Sequence, residues 1–270
     1  MDVSADRLIR FILPAAHSRG AIVRASAIHA EVGRVHGLSG EPQMLLTKSL
    51  VAASLLHSVS KGGVRHVLQI DGEGGPVQRV MGEAGQGKVR GYLLWRDDIM
   101  AHLSPSGGEG ELDWLGSEVK LACVRDLGFG QPYISRTEAK GSYMADALVE
   151  YLQRSVQVRA DILLHNDLGL MLEAMPGCDD NHWFESINAL AAIGEKDLDK
   201  STESILTAFS ALDCAIVANE DLVYACGCKP EALAVTLQSM DPAELSELRD
   251  KHGDITVSCR YCDKSYAIKP

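Results

Sequence analysis

No run of about 18 apolar residues, the length that crosses a bilayer as a helix, occurs anywhere in the chain. The opening residues, Met1 to Asp6, are acidic and lack the basic start and apolar stretch of a secretory signal. Basic residues are outnumbered 26 to 37, for a formal net charge of −11, so the surface field repels phosphate backbones and anionic lipid. Neither nucleic acid nor a membrane is an expected partner. Glycine runs such as Gly72-Glu73-Gly74-Gly75 lack both the Lys-Ser/Thr ending of a phosphate loop and GxGxxG spacing, so nucleotide binding has no support. Aromatic residues make up only 5%, yet 46% hydrophobic and 23% charged residues are the proportions of a globular chain, not a disordered one. A cytoplasmic location is expected. In that reducing compartment seven cysteines point to thiol chemistry or metal binding rather than permanent disulfides.

A chain of 270 residues has room for a main domain and a smaller appendage. Residues 1 to 61 read as helical in parts, most clearly from Met44 to Val59, where the apolar spacing predicts a buried helix. From Val64 the pattern changes to short apolar runs cut by glycines, including Gly85, Gly87 and Gly107-Gly108. Val64 to Ile70, Pro76 to Met81, Lys88 to Trp95, Val119 to Val124 and Gln131 to Arg136 read as strands. A helix is expected over Ser142 to Arg154, and further strands over Gln157 to His165 and Gly169 to Met175. Past Pro176-Gly177 come two short amphipathic segments, one around Trp183, Phe184 and Ile187 and one around Ile205 and Phe209. The span from Gly177 to Asp213 carries eight acidic and two basic residues. Helices this short are marginal alone, so their order must come from docking apolar faces on neighbours. Near the end, Asp241, Pro242 and Glu244 form a helix start with a capping box, and Gly253 a stop. A hairpin-like run, Ile255 to Ile268, follows. The expected fold class is α+β: an N-terminal α+β domain over 1–176, a helical linker over 177–219 and a small C-terminal four-cysteine zinc domain over 220–270.

Cys226-x-Cys228, thirty intervening residues, then Cys259-x-x-Cys262 supply four thiolates as two close pairs, which suits tetrahedral structural zinc, one ion per chain in the reduced form. No histidine or carboxylate joins them, and a complete shell of four thiolates leaves no open position for an activated water, so an enzyme role is not expected. Such thiolates remain nucleophiles, and oxidation to disulfides removes them as ligands. Cys123, Cys178 and Cys214 have no partner at metal spacing, and the nine histidines are scattered. Two other readings fit less well. A zinc-ribbon module docking on nucleic acid conflicts with six basic against nine acidic residues from Glu220 to Pro270. A thiol–disulfide oxidoreductase built on Cys259-Arg-Tyr-Cys262 lacks the thioredoxin-like context.

Tyr224-Ala-Cys226-Gly-Cys228, followed by Cys259-Arg-Tyr-Cys262 and Tyr266, resembles the C-terminal zinc motif of the heat shock protein 33 family of chaperones. Arg10-Phe11, His17 to Ala21, Leu45 to Leu56, Leu68-Gln69 to Gly75 and Val89-Arg90-Gly91-Tyr92 resemble that family's N-terminal domain. The resemblance implies a redox-regulated, ATP-independent holdase, inactive when reduced and zinc-bound. On oxidation it would form disulfides within each pair, Cys226 with Cys228 and Cys259 with Cys262, lose zinc, unfold the zinc region and linker, and hold unfolding client proteins. Gly227 would then ease the tight loop of a Cys226–Cys228 bridge, although a plain turn requirement explains that glycine equally well. A homodimer of the oxidised form and onward transfer of clients to ATP-driven foldase chaperones are implied by the resemblance alone. Trp183, Phe184, Ile187, Ile205 and Phe209 are the candidate client-binding residues, because release of the linker would expose them among acidic groups that keep the complex soluble. Where the family often carries a helix-capping serine after the second cysteine, Lys229-Pro230 stands here, so that helix start relies on proline.

Overall fold

The computed structural model describes residues 6–60, 62–97, 110–249 and 253–268. Met1 to Ala5 and the Gly107-Gly108 turn lie outside them. The chain divides into two compact units, Met1–Tyr224 and Ala225–Pro270. The segment 177–219, expected as a linker, therefore lies within the first unit.

That unit is two sheets with a helix between them. Strands β1 (Arg7–Leu13), β2 (Ser18–Arg24), β8 (Ala160–His165), β9 (Leu168–Ala174) and β10 (Ala215–Asp221) form a five-stranded sheet in the order β10-β1-β2-β9-β8. Strands β3 (Arg65–Gly74), β4 (Val77–Gly85), β5 (Lys88–Trp95), β6 (Gly116–Asp126), β7 (Tyr133–Ala139) and β11 (Val223–Tyr224) form a six-stranded sheet, β11-β5-β4-β3-β6-β7. Helix α1 (Ser26–His36) leads into α2 (Gly40–Val59), which packs against strands of both sheets, and α3 (Met144–Tyr151) follows β7. Because α2 is covered on all sides, Leu45, Leu46, Leu50, Leu55 and Leu56 are all buried and no polar stripe survives. Its close approach requires missing side chains. Gly82 and Gly91 face each other across β4 and β5, and a Cβ on Gly82 would sit 2.5 Å from the Ser49 carbonyl oxygen. On the other sheet, a Cβ on Gly169 would sit 2.3 Å from Val51 Cγ1.

Of residues 1 to 61, expected to be helical in parts, 26–36 and 40–59 are helix, while Arg7 to Arg24 is a β-hairpin, β1 to β2, which the sequence reading did not name. The five-stranded sheet has apolar cores on both faces: Leu8, Ala21 and Val23 belong to the inner one, Ile9, Phe11 and Ile22 to the outer one. A strand buried on both faces loses period-two alternation and cannot be told from a buried helix by pattern alone.

The outer core is closed by α4 (Asp180–Ala191), α5 (Thr202–Leu206) and the 3-10 turn that follows, through Leu190, Ile205, Leu206, Phe209 and Leu212, with Leu198 added from the connection between α4 and α5. Polar clamps fix these elements. Ser18 and Ser186 share a buried hydroxyl–hydroxyl bond of 2.8 Å, Arg24 donates to the carbonyls of Leu198 and Lys200, and Arg159 pairs with Asp180 at 2.7 Å. After them β10 returns to pair with β1, Arg7 opposite Asp221.

The second unit holds α6 (Pro230–Gln238), α7 (Pro242–Leu248) and the antiparallel hairpin β12 (Ile255–Ser258) and β13 (Ser265–Ile268). Pro230 begins α6 without a side-chain cap. Asp241 caps α7 by accepting from the Ala243 N–H at 2.8 Å, and the helix closes at Leu248, ahead of Gly253. Among the described residues only Leu237, Ile255 and Ile268 form its buried apolar core. So few residues bury too little surface to hold about 45 residues together.

Candidate metal and redox centre

What the small core lacks, the cysteines supply. Cys226 and Cys228 lie in the loop entering α6, and Cys259 and Cys262 in the turn joining β12 to β13. That turn is tightened by the Cys259 N–H donating to the Lys264 carbonyl at 2.9 Å and by the N–H groups of Cys262 and Asp263 donating to the Cys259 carbonyl. Asp263 takes a left-handed backbone conformation, φ 56°, which aspartate tolerates better than most residues. A Ser258–Ser265 hydroxyl pair at 2.8 Å closes the base.

All four sulfur atoms lie within 4.8 Å of one another. Cys226 Sγ is 3.6 Å from Cys259 Sγ, and Cys228 Sγ is 3.4 Å from Cys262 Sγ. A tetrahedron of sulfurs about 2.3 Å from a central zinc has edges of about 3.8 Å, whereas a disulfide needs about 2.05 Å. The four thiols are free, and their spacing fits a four-thiolate metal shell. One cysteine of each pair sits against one of the other, so the structure brings all four residues together.

Their acidities differ. The Tyr266 hydroxyl, 3.1 Å from Cys228 Sγ, brings that thiol down to about 7. The same bond pushes Tyr266 up to about 12. Burial pushes Cys262 up to about 12 and also raises Cys226. Of Cys226, Cys228 and Cys262, Cys228 is thus the one whose ionised form its surroundings favour. Tyr266 stood in the motif as a marker; its hydrogen bond was not legible, because a tyrosine next to a cysteine pair in sequence says nothing of where its hydroxyl ends. Gly227 takes no left-handed conformation and a Cβ there would meet nothing within 4 Å, so this form of the site makes no demand for glycine.

The five apolar residues of the linker segment are spread over the first unit. Phe209 and Ile205 are buried in the outer core, Phe209 against Phe11 with ring centroids 5.5 Å apart. Trp183 packs on the edge of that core beneath the Arg159 guanidinium. Ile187 is half-buried, and Phe184 is 65% exposed. Of the other cysteines, Cys123 is buried, and that burial pushes its thiol up to about 12.

A family model described as Hsp33 protein matches residues 6–269. The 33 kDa chaperonin of Deinococcus radiodurans is 27% identical over a span covering 92% of this chain and 90% of that protein. The 33 kDa chaperonin of Gloeobacter violaceus is 28% identical, covering 98% and 93%. In three dimensions the chain resembles the 33 kDa chaperonin (heat shock protein 33 homolog) of Thermotoga maritima, with a TM-score of 0.81 over 97% of this chain and 94% of that one at 22% identity. The α+β fold is thus shared with that structure, and the family match over residues 6–269 places the chain in the Hsp33 family of chaperones. Among the described residues no helix is long and apolar enough to cross a membrane.

Proposed function

We propose that this protein is a redox-regulated holdase that works without ATP, held inactive by a reduced, zinc-loaded Cys226-Cys228-Cys259-Cys262 centre and switched on by its oxidation. One observation supports this above the others: four sulfurs within 4.8 Å sit in a unit whose described residues form a buried apolar core of just three side chains. Zinc bound there would keep the thiolates deprotonated and supply most of the unit's folding energy, on the order of 10–16 kcal/mol.

In the redox step one of the four thiolates attacks a peroxide oxygen, the O–O bond breaks, and the sulfur becomes a sulfenic acid while the second oxygen leaves as hydroxide. A neighbouring thiolate then displaces the sulfenic hydroxyl and closes a disulfide, so two thiolates have given up two electrons to the peroxide. The proposed pairs are Cys226 with Cys228 and Cys259 with Cys262. With both closed, no thiolate ligand remains and the three-residue core cannot hold the unit.

Unfolding past Ala225 reaches the linker through the chain itself. β11 pairs with β5 through only Val223 and Tyr224, and β10 is an edge strand. Fraying of these strands would release α4 and α5, baring Trp183, Ile187, Ile205 and Phe209, with Phe184 beside them, and the Ile9, Phe11 and Ile22 face beneath. We propose that this apolar surface, flanked by the acidic residues of 177–213, holds unfolding clients. Dimerisation on oxidation, transfer of clients to ATP-driven foldases and a cytoplasmic site of action are proposed on family membership alone.

The test is light scattering from a denatured client with reduced, peroxide-treated and Cys259→Ser/Cys262→Ser protein, with zinc and free thiols counted alongside. Reduced protein should suppress aggregation poorly, and oxidised, zinc-free protein well without ATP. A serine variant that still switched with peroxide like the parent would overturn the proposal.

A further inference from the structure

β7 (Tyr133–Ala139) is the last strand of the six-stranded sheet, bonded to β6 along one side. The outward N–H and C=O groups of such a strand are a template for a further strand, and folded proteins commonly blunt an edge of this kind with charge. A row of one sign repels any copy of itself, whereas β7 alternates: Arg136 and Glu138, with Lys140 just beyond. Arg136 stands opposite Ala122 of β6 and Glu138 opposite Lys120. Two residues apart on one strand, they project to the same face of the sheet, and both are exposed. Among the described residues Arg136 enters no ion pair, and Lys120, the cation across from Glu138, is held by Glu73 at 3.2 Å. The turn before β7 and its first residues carry apolar surface as well: Phe129 is 76% exposed, Tyr133 64% and Ile134 51%, while Tyr143, beyond the other end, is 46% exposed.

A strand that meets its own copy across a twofold axis pairs antiparallel, and the residue on the axis fixes the register. With Thr137 on the axis, Arg136 lies opposite Glu138 of the second copy and Glu138 opposite the second Arg136, which gives two attractive cross-strand pairs. Ser135 then meets Ala139, and Ile134 meets Lys140. With Arg136 or Glu138 on the axis, like charges coincide, which destabilises the pairing. An axis at either end of the strand leaves most of β7 unpaired. Charge therefore selects the Thr137 register. β10, at the edge of the other sheet, is the contrast: its charged residues, Glu220 and Asp221, are both acidic and are engaged by Arg10 and Arg7. No register of β10 with its own copy yields an attractive pair.

We propose that two copies of this protein associate through β7, antiparallel about Thr137, so that their six-stranded sheets become one. The antiparallel arrangement runs the Phe129 and Tyr133 end of each copy beside the Tyr143 end of the other, which brings exposed aromatic surface together. So short a strand makes a contact below the ~1,200 Å² of a standard interface, and the dimer is transient, with a dissociation constant on the order of 100 µM. β7 belongs to the first unit, so this association needs no oxidation and is separate from the dimerisation on oxidation proposed above.

Sedimentation equilibrium of the reduced, full-length protein, from low micromolar to near-millimolar concentration, reads the association without any contribution from oxidation. Arg136→Glu sets an acid against Glu138, and Glu138→Arg sets a base against Arg136, each at two symmetry-related places. Either single variant should therefore associate about tenfold more weakly than the parent. The double variant, Arg136→Glu with Glu138→Arg, exchanges the signs and should recover the parental dimer, which a loss of folding could not do. A parent that stays monomeric over the whole range would overturn the proposal. So would a dimer that the single variants leave unweakened or that the double variant does not restore.

Discussion

The hydroxyl of Tyr266 on β13 lies 3.1 Å from the sulfur of Cys228 in the loop before α6, joining the two halves of the cysteine centre by a bond that is not itself a metal ligand. A hydrogen bond from outside the ligand shell fixes a thiolate's orientation, and losing such a partner typically costs 10–100-fold in metal affinity. Tyr266→Phe should therefore weaken zinc binding by about tenfold or more, read by competition with a chelator. Unchanged affinity would mean the bond is incidental.

Stripping zinc from the reduced protein with a chelator should unfold residues 225–270 while leaving the first unit folded. The three-residue core of the second unit cannot replace the ion's contribution. Amide hydrogen exchange should show protection lost in β12, β13 and α6 but retained in α2 and β3. Persistent protection in the hairpin would contradict the metal-dependent fold.

Phe209 is wholly buried against Phe11, whereas Phe184 on α4 is 65% exposed. Removing a buried phenylalanine costs about 3–5 kcal/mol, enough to loosen α4 and α5 from the sheet. Phe209→Ala should speed proteolysis within 177–213 and raise client holding by the reduced protein, while Phe184→Ala leaves docking intact. Equal protease resistance of the two variants would argue that the linker is not held by its apolar face.

His66 gives a pH dependence of definite sign. In the fold its imidazole titrates at about 4 against the usual 6.5, so below pH 6.5 the unfolded chain takes up a proton that the folded one refuses. The stability this histidine permits is full above about 6.5 and is lost as pH falls through 4, reaching a deficit of about 3 kcal/mol. Urea unfolding at pH 7.5, 5.5 and 4.5 should show a steeper loss for the parent than for His66→Leu. Parallel losses would mean His66 is hydrated in the folded protein.

The four-cysteine spacing, the buried α2, the strand runs from Val64 to Met175 and the acidic segment with two amphipathic stretches were all legible in the sequence, because each is a local signal: ligand spacing, a 3.6 or 2 residue period, charge density. Tertiary structure decided what those signals meet. It turned Arg7–Leu13 and Ala215–Asp221 into neighbouring strands, a pairing of distant segments with no local signature. It carried Ile205 and Phe209 onto the outer sheet face, since an amphipathic stretch specifies that it must dock but not where. It aimed Tyr266 at Cys228, and set His66, Arg125 and Tyr133 in one row. Strand register places such residues side by side, and register follows from the burial of whole faces rather than from any single residue.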